Sequence, residues 1–426
     1  MPMKVFVTDG NQRASLAIVR ALGRRGLSVL VGEAQPVSLA SSSRYCARHV
    51  MYPSPLGDRA AFDHFLMDFL AREKVDVVLP VTDVTTHAMC ANQAAIREVS
   101  AVALPSLEAF DYVSNKGALL QWAARCGVST PRTHVVESLA DLAAVLDQVR
   151  YPAVVKPTRS RIPTERGWLP STVHYAYSEG ELRQLYRDTP YLSSYPSLIQ
   201  ERIVGPGVGV FVLFDRGQLV ADFGHRRLRE KPPSGGVSVL RESTAVDPRL
   251  RKYAKRTLGR IGWHGVAMME YKQDRRTGEL FLMEVNGRFW GSLQLAVDAG
   301  IDFPHLVCQL ALGHPPAAAP PYRIGVKSRW LLGDLDHLSL RLFKSDRDLC
   351  LPPEAPSRLR TIAEFMKFVQ PDLHYEVASR DDPRPFLYEL RQAAGSLSGS
   401  AVRFARRRVS RAGSPDAREH AVSPAP

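Results

Sequence analysis

The stretch FLMEVNGRFWGS, residues 281–292, decides how the rest of this 426-residue chain is read. Together with Leu280, its apolar residues Phe281, Leu282, Met283 and Val285 describe a buried strand. Glu284, Asn286 and Arg288 interrupt it at every second position. Side chains alternate faces along a strand, so an acid, an amide and a guanidinium are expected to share one face. Upstream, GVAMMEYKQDRRTGELFLMEVNGR (265–288) reads as a hairpin. A register that pairs Asp274 with Leu280 through DRRTG sets Glu270 opposite Glu284. Two like charges across a sheet repel, and burying both without a partner costs more. A divalent cation resolves the conflict. The Glu270 and Glu284 carboxylates and the Asn286 oxygen are hard ligands suited to Mg²⁺ (or Mn²⁺), which takes few protein oxygens plus substrate phosphates. Arg288 would then meet the phosphates. The bland alternative is a solvated polar face, which the flanking Phe281, Leu282, Met283, Phe289 and Trp290 disfavour.

A metal with phosphates calls for further cations. Lys116 opens the helical stretch NKGALLQWAARCGVSTPRT (115–133). Lys156 ends the strand YPAVVKPT (151–158), which would deliver a charge from a rigid element. Either lysine alone would read as solvated; their conjunction with the Glu/Asn/Arg row gives them meaning. SLIQERIVG (197–205) and the hairpin GVFVLFDRGQLVADFGHRRL (209–228), turning at Asp215, Arg216 and Gly217, make this middle region α+β.

The region before it alternates strands and helices: KVFVTDG (4–10), RASLAIVRALGRRG (13–26), LSVLVGE (27–33), AFDHFLMDFLAREKV (61–75) and DVVLPVTD (76–83). That order indicates a parallel α/β sheet with Rossmann-like winding. Its first turn, TDGNQRAS (8–15), lacks G-x-G-x-x-G, so no dinucleotide site is expected there. AAPPYRI (318–324) reads as a linker. Residues 325–392 mix helical patterns with Pro-broken loops such as LPPEAPS (351–357). After about 393 the chain is Ser, Gly, Ala, Arg and Pro, including RFARRRVSR (403–411), and a disordered basic tail is expected.

Composition is globular, 45% hydrophobic and 23% charged, with a formal net charge of +13. A basic balance is compatible with phosphorylated small ligands, nucleic acid or an anionic membrane, but the Arg-rich tail supplies much of it. Five scattered cysteines with no CxxC pair argue against a disulfide framework or zinc site and fit a reducing, cytoplasmic setting. No signal peptide and no transmembrane segment are expected.

The order NK, YPAVVKP, LIQERIVG, MMEYK, MEVNGR resembles the ATP-grasp superfamily of carboxylate ligases, which includes biotin carboxylase and carbamoyl-phosphate synthetase. The resemblance covers roughly residues 110–315. It implies a Rossmann-like N-terminal domain (1–108), a two-lobed ATP-grasp domain (109–318), a C-terminal α/β extension (319–392) and the basic tail (393–426). It implies ATP and Mg²⁺ as cofactors. Lys116 and Lys156 would contact ATP, and Glu201, Arg202 and Ile203 would form the strand that holds adenine. Glu270, Glu284 and Asn286 would hold the metal, and Arg288 would stabilise the moving phosphoryl group. Two departures stand out. The loop TRSRIPTERGW (158–168), expected to cover the phosphates, has three arginines and one glycine. The position where the family often holds ribose is Val208.

GHRRLREKPPSGGVSVLRES (224–243) reads as a segment joining the two hairpins over the acceptor end, similar to such segments in the carbamoyl-phosphate synthetase type. A cationic row there would bind a carboxylate and neutralise an acyl phosphate, and Arg226 and Lys231 are its catalytic candidates. The expected activity is a carboxylate–amine ligase acting through an acyl phosphate. Ligation to a thiol, phosphorylation of a carboxylate or carbamate, a nucleotide sensor without turnover, and a nucleic-acid or membrane-surface binder acting through the basic tail remain open alternatives. The expected partners are a small-molecule carboxylate and an amine, with no specific nucleic acid and a homodimer left open.

Overall fold

A computed structural model describes residues 2–164, 167–314, 321–352 and 354–395. The basic tail expected at 393–426 lies outside the described residues from 396 onward, and 384–395 are helical. Four strands form the first sheet: β1 (Lys4–Val7), β2 (Ser28–Glu33), β3 (Cys46–Met51) and β4 (Val77–Leu79), in the order β3-β2-β1-β4 and all parallel. Val5 to Val7 and Val77 to Leu79 are buried throughout, as two-sided cover by helices requires. The helix Arg13–Arg24 runs from the end of β1, and Arg59–Glu73 begins at Asp58, whose side chain accepts from the Ala61 N–H. That cap sets the helix start two residues before the expected one.

Next along the chain come β5 (Thr133–Val136), β6 (Ala153–Pro157), the pair β7 (Arg161–Thr164) and β8 (Gly167–Pro170), β9 (His174–Ala176) and β10 (Ser197–Glu201). β5, β10, β6 and β9 form an antiparallel sheet in that order; β7 and β8 pair only with each other. Val136, Val155, Leu182 and Ile199 make a small core of their own on this sheet.

The third sheet has seven strands: β11 (Gly207–Asp215), β12 (Gln218–Lys231), β13 (Val237–Thr244), β14 (Gly265–Gln273), β15 (Leu280–Asn286), β16 (Lys327–Arg329) and β17 (Leu373–Tyr375). Their order is β15-β14-β11-β12-β13-β16-β17. β11 is covered on both faces. Val210, Val212 and Phe214 join one core with Phe110 and Trp263. Phe211 and Leu213 join another with Leu16 and Trp290. Arg216 (φ 45°) and Gly217 (φ 87°) close β11 onto β12, the two left-handed positions a tight hairpin of this kind needs. A Cβ at Gly217 would lie 2.6 Å from the Gly259 carbonyl oxygen.

Two sequence expectations change here. The segment 224–243 is not a connector: β12 runs on to Lys231 and β13 starts at Val237, so it is a third hairpin. In the hairpin of β14 and β15, Glu270 does face Glu284, but Gln273, not Asp274, pairs with Leu280. A bulge between Glu270 and Tyr271 absorbs the difference, leaving Met283 as the extra residue.

The helix Leu331–Phe343 is inverted. Its buried positions are Gly333, Asp334, His337 and Arg341, whereas Leu335 and Phe343 face outward. A helix that docks on a core buries its apolar stripe. This one turns its polar stripe inward because part of what it faces is a cleft, which His337 and Arg341 line. Among the described residues, no helix is long and apolar enough to cross a membrane.

Candidate active site

A cleft of about 1330 Å³ opens between the small sheet and the seven-stranded sheet, with the strand ends of the parallel sheet on its rim. Its floor is the hairpin of β14 and β15. Glu270 and Glu284 sit directly opposite each other, and Asn286 lies two residues further along β15. The Asn286 Nδ2 donates to both carboxylates, at 3.4 and 3.3 Å. Its Oδ1 accepts from Arg288 Nη2 at 3.3 Å. A half-turn of the amide exchanges that nitrogen for an oxygen donor. Met283 shares this wall because of the bulge, which strict alternation had put on the opposite face.

Both lysines arrive at the same point. Lys116 opens the helix Lys116–Arg125, capped by the Asn115 side chain. Its Nζ donates to Ser160 Oγ at 2.6 Å and lies 3.3 Å from Glu284 Oε2. Lys156, on β6, is buried. Burial, helped by the nearby charge of Lys116, pushes its ammonium pKa down to about 8. Among the described residues it has no carboxylate within ion-pair distance, an expensive state for a buried cation unless an anion is meant to meet it.

The two acids differ in environment. Burial disfavours the Glu284 charge, but Lys116 and Lys156 outweigh it and hold the carboxyl at about 2. Burial raises Glu270, with Arg227 only partly offsetting it and Glu284 adding to the rise. Arg227 Nη2 forms the ion pair with Glu270, and its Nη1 bonds Glu230 at 2.9 Å. Arg288 sits just beyond β15. Its Nε is 3.1 Å from Asp83 Oδ2, at the start of the helix Asp83–Ala91. Burial works against the Arg288 charge, yet Asp83 raises its pKa overall. Among the described residues no cluster of three or more His, Cys, Asp or Glu could hold a metal. Two carboxylates and an amide oxygen fit Mg²⁺ only where nucleotide phosphates complete the shell.

At the other end, Glu201 closes β10 and Ile203 is buried beside it. Glu201 Oε1 accepts from the Arg132 N–H at 3.0 Å. Arg202 donates to the Cys350 carbonyl and lies 5.3 Å over the Tyr175 ring. All three line the cleft. Val208 does not: it packs toward the core, and Gly205 to Gly207 border the cleft instead. The loop 158–168 contributes the pair of β7 and β8, whose Trp168 stacks edge-on to His87 at 6.0 Å.

Arg226 and Lys231, the two cations chosen from the sequence, are not brought to the cleft. Arg226 turns outward onto Glu242, 2.6 Å from Nη2, and Lys231 pairs with Asp336. Arg227 and Arg229 line the cleft in their place. Adjacent residues on a strand point to opposite faces, and reading 224–243 as a loop concealed that. Arg227 was legible as the neighbour of Glu270 only once β12 is known to flank β11: Gly209 pairs with both Glu270 and His225, two residues before Arg227. Asp83 carried no signal, being some two hundred residues from the arginine it holds.

Residues 193–333 match the family model described as "ATP-grasp in the biosynthetic pathway with Ter operon". The chain is 25% identical over 313 residues to the carbamoyl phosphate synthase large chain of Thermus thermophilus, covering 70% of this chain and 29% of that protein. It thus spans under a third of the length of that curated relative. The biotin carboxylase domain dimer of Hydrogenobacter thermophilus 2-oxoglutarate carboxylase, solved with MgADP, ADP and bicarbonate, superposes with a TM-score of 0.61. Identity is 14%, over 77% of this chain and 73% of that one. The L-amino acid ligase of Bacillus licheniformis gives a TM-score of 0.56 at 20% identity, over 73% and 74%. At these identities the structural likenesses establish the fold.

Proposed function

The chain is an ATP-grasp protein, and from that premise we propose that it is an ATP- and Mg²⁺-dependent ligase that joins a carboxylate to an amine. One observation carries the reading. Two half-buried carboxylates face each other across a hairpin; Lys116 and Lys156 converge on them from two other parts of the chain, and Arg288 from just beyond the second strand. Such an arrangement is costly for a fold and useful for a phosphoryl group. In this reading 1–108 is a Rossmann-like domain, 109–318 the two-lobed ATP-grasp domain, and 319–392 an extension that closes the acceptor side.

Glu270, Glu284 and Asn286 would hold Mg²⁺, or Mn²⁺, which when bound neutralises phosphate charge and fixes the nucleotide's orientation. Lys116 and Lys156 supply positive charge to the phosphates from a helix start and a strand. Glu201, Arg202 and Ile203 border the adenine end. The substrate carboxylate oxygen attacks the γ-phosphorus in line. The new O–P bond forms as the bond to the β-phosphate oxygen breaks, and ADP leaves. Arg288, kept charged by Asp83, faces the transferring group. The amine then attacks the acyl carbon, inorganic phosphate departs with the C–O electron pair, and the amine proton passes to phosphate or solvent. No protein nucleophile is required; catalysis rests on positioning and charge.

The test is ADP release over a panel of carboxylates with amines present, with Glu284→Ala as the control. Carboxylate-dependent ADP release that Glu284→Ala abolishes is expected. Release that survives in that variant would overturn the metal assignment.

A further inference from the structure

The cleft is longer than a nucleotide site needs, and its far wall is built by residues 327–370. That wall carries Lys327, Arg341 and Arg360, with Glu354 and Glu364 as its carboxylates. The two acids are already engaged, Glu354 with Arg275 at 3.6 Å and Glu364 with Lys367 at 2.6 Å. Arg341 is engaged as well, with Asp346 at 2.8 Å. Lys327 and Arg360 have no carboxylate within ion-pair distance among the described residues. Lys327 reaches only the Gln370 side chain, at 3.5 Å.

Arg229 adds a third open cation. Its Nε and Nη2 grip Asp334 at 2.7 and 2.6 Å, and Asp334 is fully buried. Arg329 holds the same carboxylate at 2.6 Å, so Asp334 is shared by two guanidiniums and neutralises one charge of two. Among the described residues, Arg229 Nη1 is left without a hydrogen bond while Arg229 lines the cleft. His337, beside it, adds no charge near neutral pH because burial lowers its pKa. The Glu364 carboxyl is held low by its bond to Lys367, with smaller pulls from Arg229 and Arg360, which places both arginines near one wall.

The phosphates of ATP do not account for all of these cations. Lys327 on β16 is four strands from Glu270 on β14 in the order β14-β11-β12-β13-β16. At about 4.8 Å per strand that is ~19 Å. Arg229 lies two residues beyond Arg227, the β12 arginine that reaches Glu270, and is held on Asp334 instead. The phosphates meet their own cations at the β14–β15 edge.

We propose that the acceptor end of the cleft takes an elongated substrate carrying a second anionic group, a carboxylate or a phosphate, distant from the carboxylate that reacts, and that Arg229, Lys327 and Arg360 bind this group. The inference rests on the ligase reading for which carboxylate reacts, but not for the binding itself. The inverted helix Leu331–Phe343 then has its reason: its polar stripe is the scaffold of that subsite, with Asp334 setting the angle of Arg229. Guanidinium recognition of carboxylate or phosphate works through paired donors, and an arginine already held by a buried acid loses little freedom on binding.

The experiment uses the full chain with Mg²⁺ and a non-hydrolysable ATP analogue. Ligand-induced shifts in Tm are titrated for succinate, adipate and suberate, for 3-phosphoglycerate, and for monocarboxylates of matched length. ADP release is followed in parallel with ATP. The dianions are expected to bind at least tenfold tighter than their monoanionic matches. The longer dicarboxylates should exceed succinate, and 3-phosphoglycerate tells whether phosphate serves as the distal group. In Lys327→Gln/Arg360→Gln the discrimination should disappear while affinity for the analogue stays unchanged; neither residue touches the nucleotide edge. Equal binding of mono- and dianions by the wild type, or discrimination that persists in the double variant, overturns the subsite. Dianion binding without ADP release from any carboxylate would instead sink the ligase reading and leave the subsite standing.

Discussion

Two hairpins of the same sheet carry dense charge, and they differ in how far the chain alone discloses them. In β14–β15, charged and amide residues fall at every second position, and the structure gathers Glu270, Glu284 and Asn286 on one face. In β12–β13, the cations at 226, 227, 229 and 231 are contiguous or interrupted. Bulges at 227/229 and 229/230 redistribute them, so that Arg227 and Arg229 enter the cleft while Arg226 and Lys231 leave it for Glu242 and Asp336. Alternation is therefore informative where no bulge falls within the charged run itself: the β14–β15 bulge sits just before Glu284 and leaves 284 and 286 on one face. A run of cations says that a site is near without saying which of them belong to it.

Glu284→Ala tests the β14–β15 hairpin most severely. If the β14–β15 hairpin is the metal edge, carboxylate-dependent ADP release should fall on the order of 10³-fold, measured by coupled assay, because the metal's charge neutralisation is lost. The loss also leaves Lys116 and Lys156 facing each other unneutralised. For the second hairpin, Asp334→Ala should cost about 3–5 kcal/mol of stability, since it strands two guanidiniums in a buried site. Thermal unfolding reads that loss, and a Tm within a degree of wild type would show that the Arg229–Asp334–Arg329 group is not structural.

Arg227→Met should slow ADP release by about 100-fold, as removal of one preorganised donor does. Arg226→Met, one residue away and paired at the surface, should change it less than twofold. Reversed effects would mean that the strand faces are misassigned.

The smallest effect concerns pH. Lys156 in the free protein loses its proton near pH 8, and bound phosphate favours the charged form. Nucleotide Kd should therefore rise with pH above about 8 and be flat below it, and Lys156→Met should remove that limb. Protein stability should move the other way. Because the folded pKa lies below that of the unfolded chain, Lys156 costs stability below pH 8, and the cost fades as pH rises toward the ordinary lysine value.

Local features were legible in the chain. The alternation of strands and helices over residues 4–83, the facing pair Glu270 and Glu284, and the arrival of Lys116 and Lys156 from a helix start and a strand all follow from local patterns in the chain. The three-dimensional fold set whatever depends on which strands become neighbours. It set β12 beside β11, and so aimed Arg227 at Glu270. It brought Asp83 to Arg288 across the chain. It turned the helix Leu331–Phe343 inside out to wall the cleft. Long-range pairing leaves no periodic trace in the chain, because each residue's own alternation is satisfied whichever neighbour the sheet supplies.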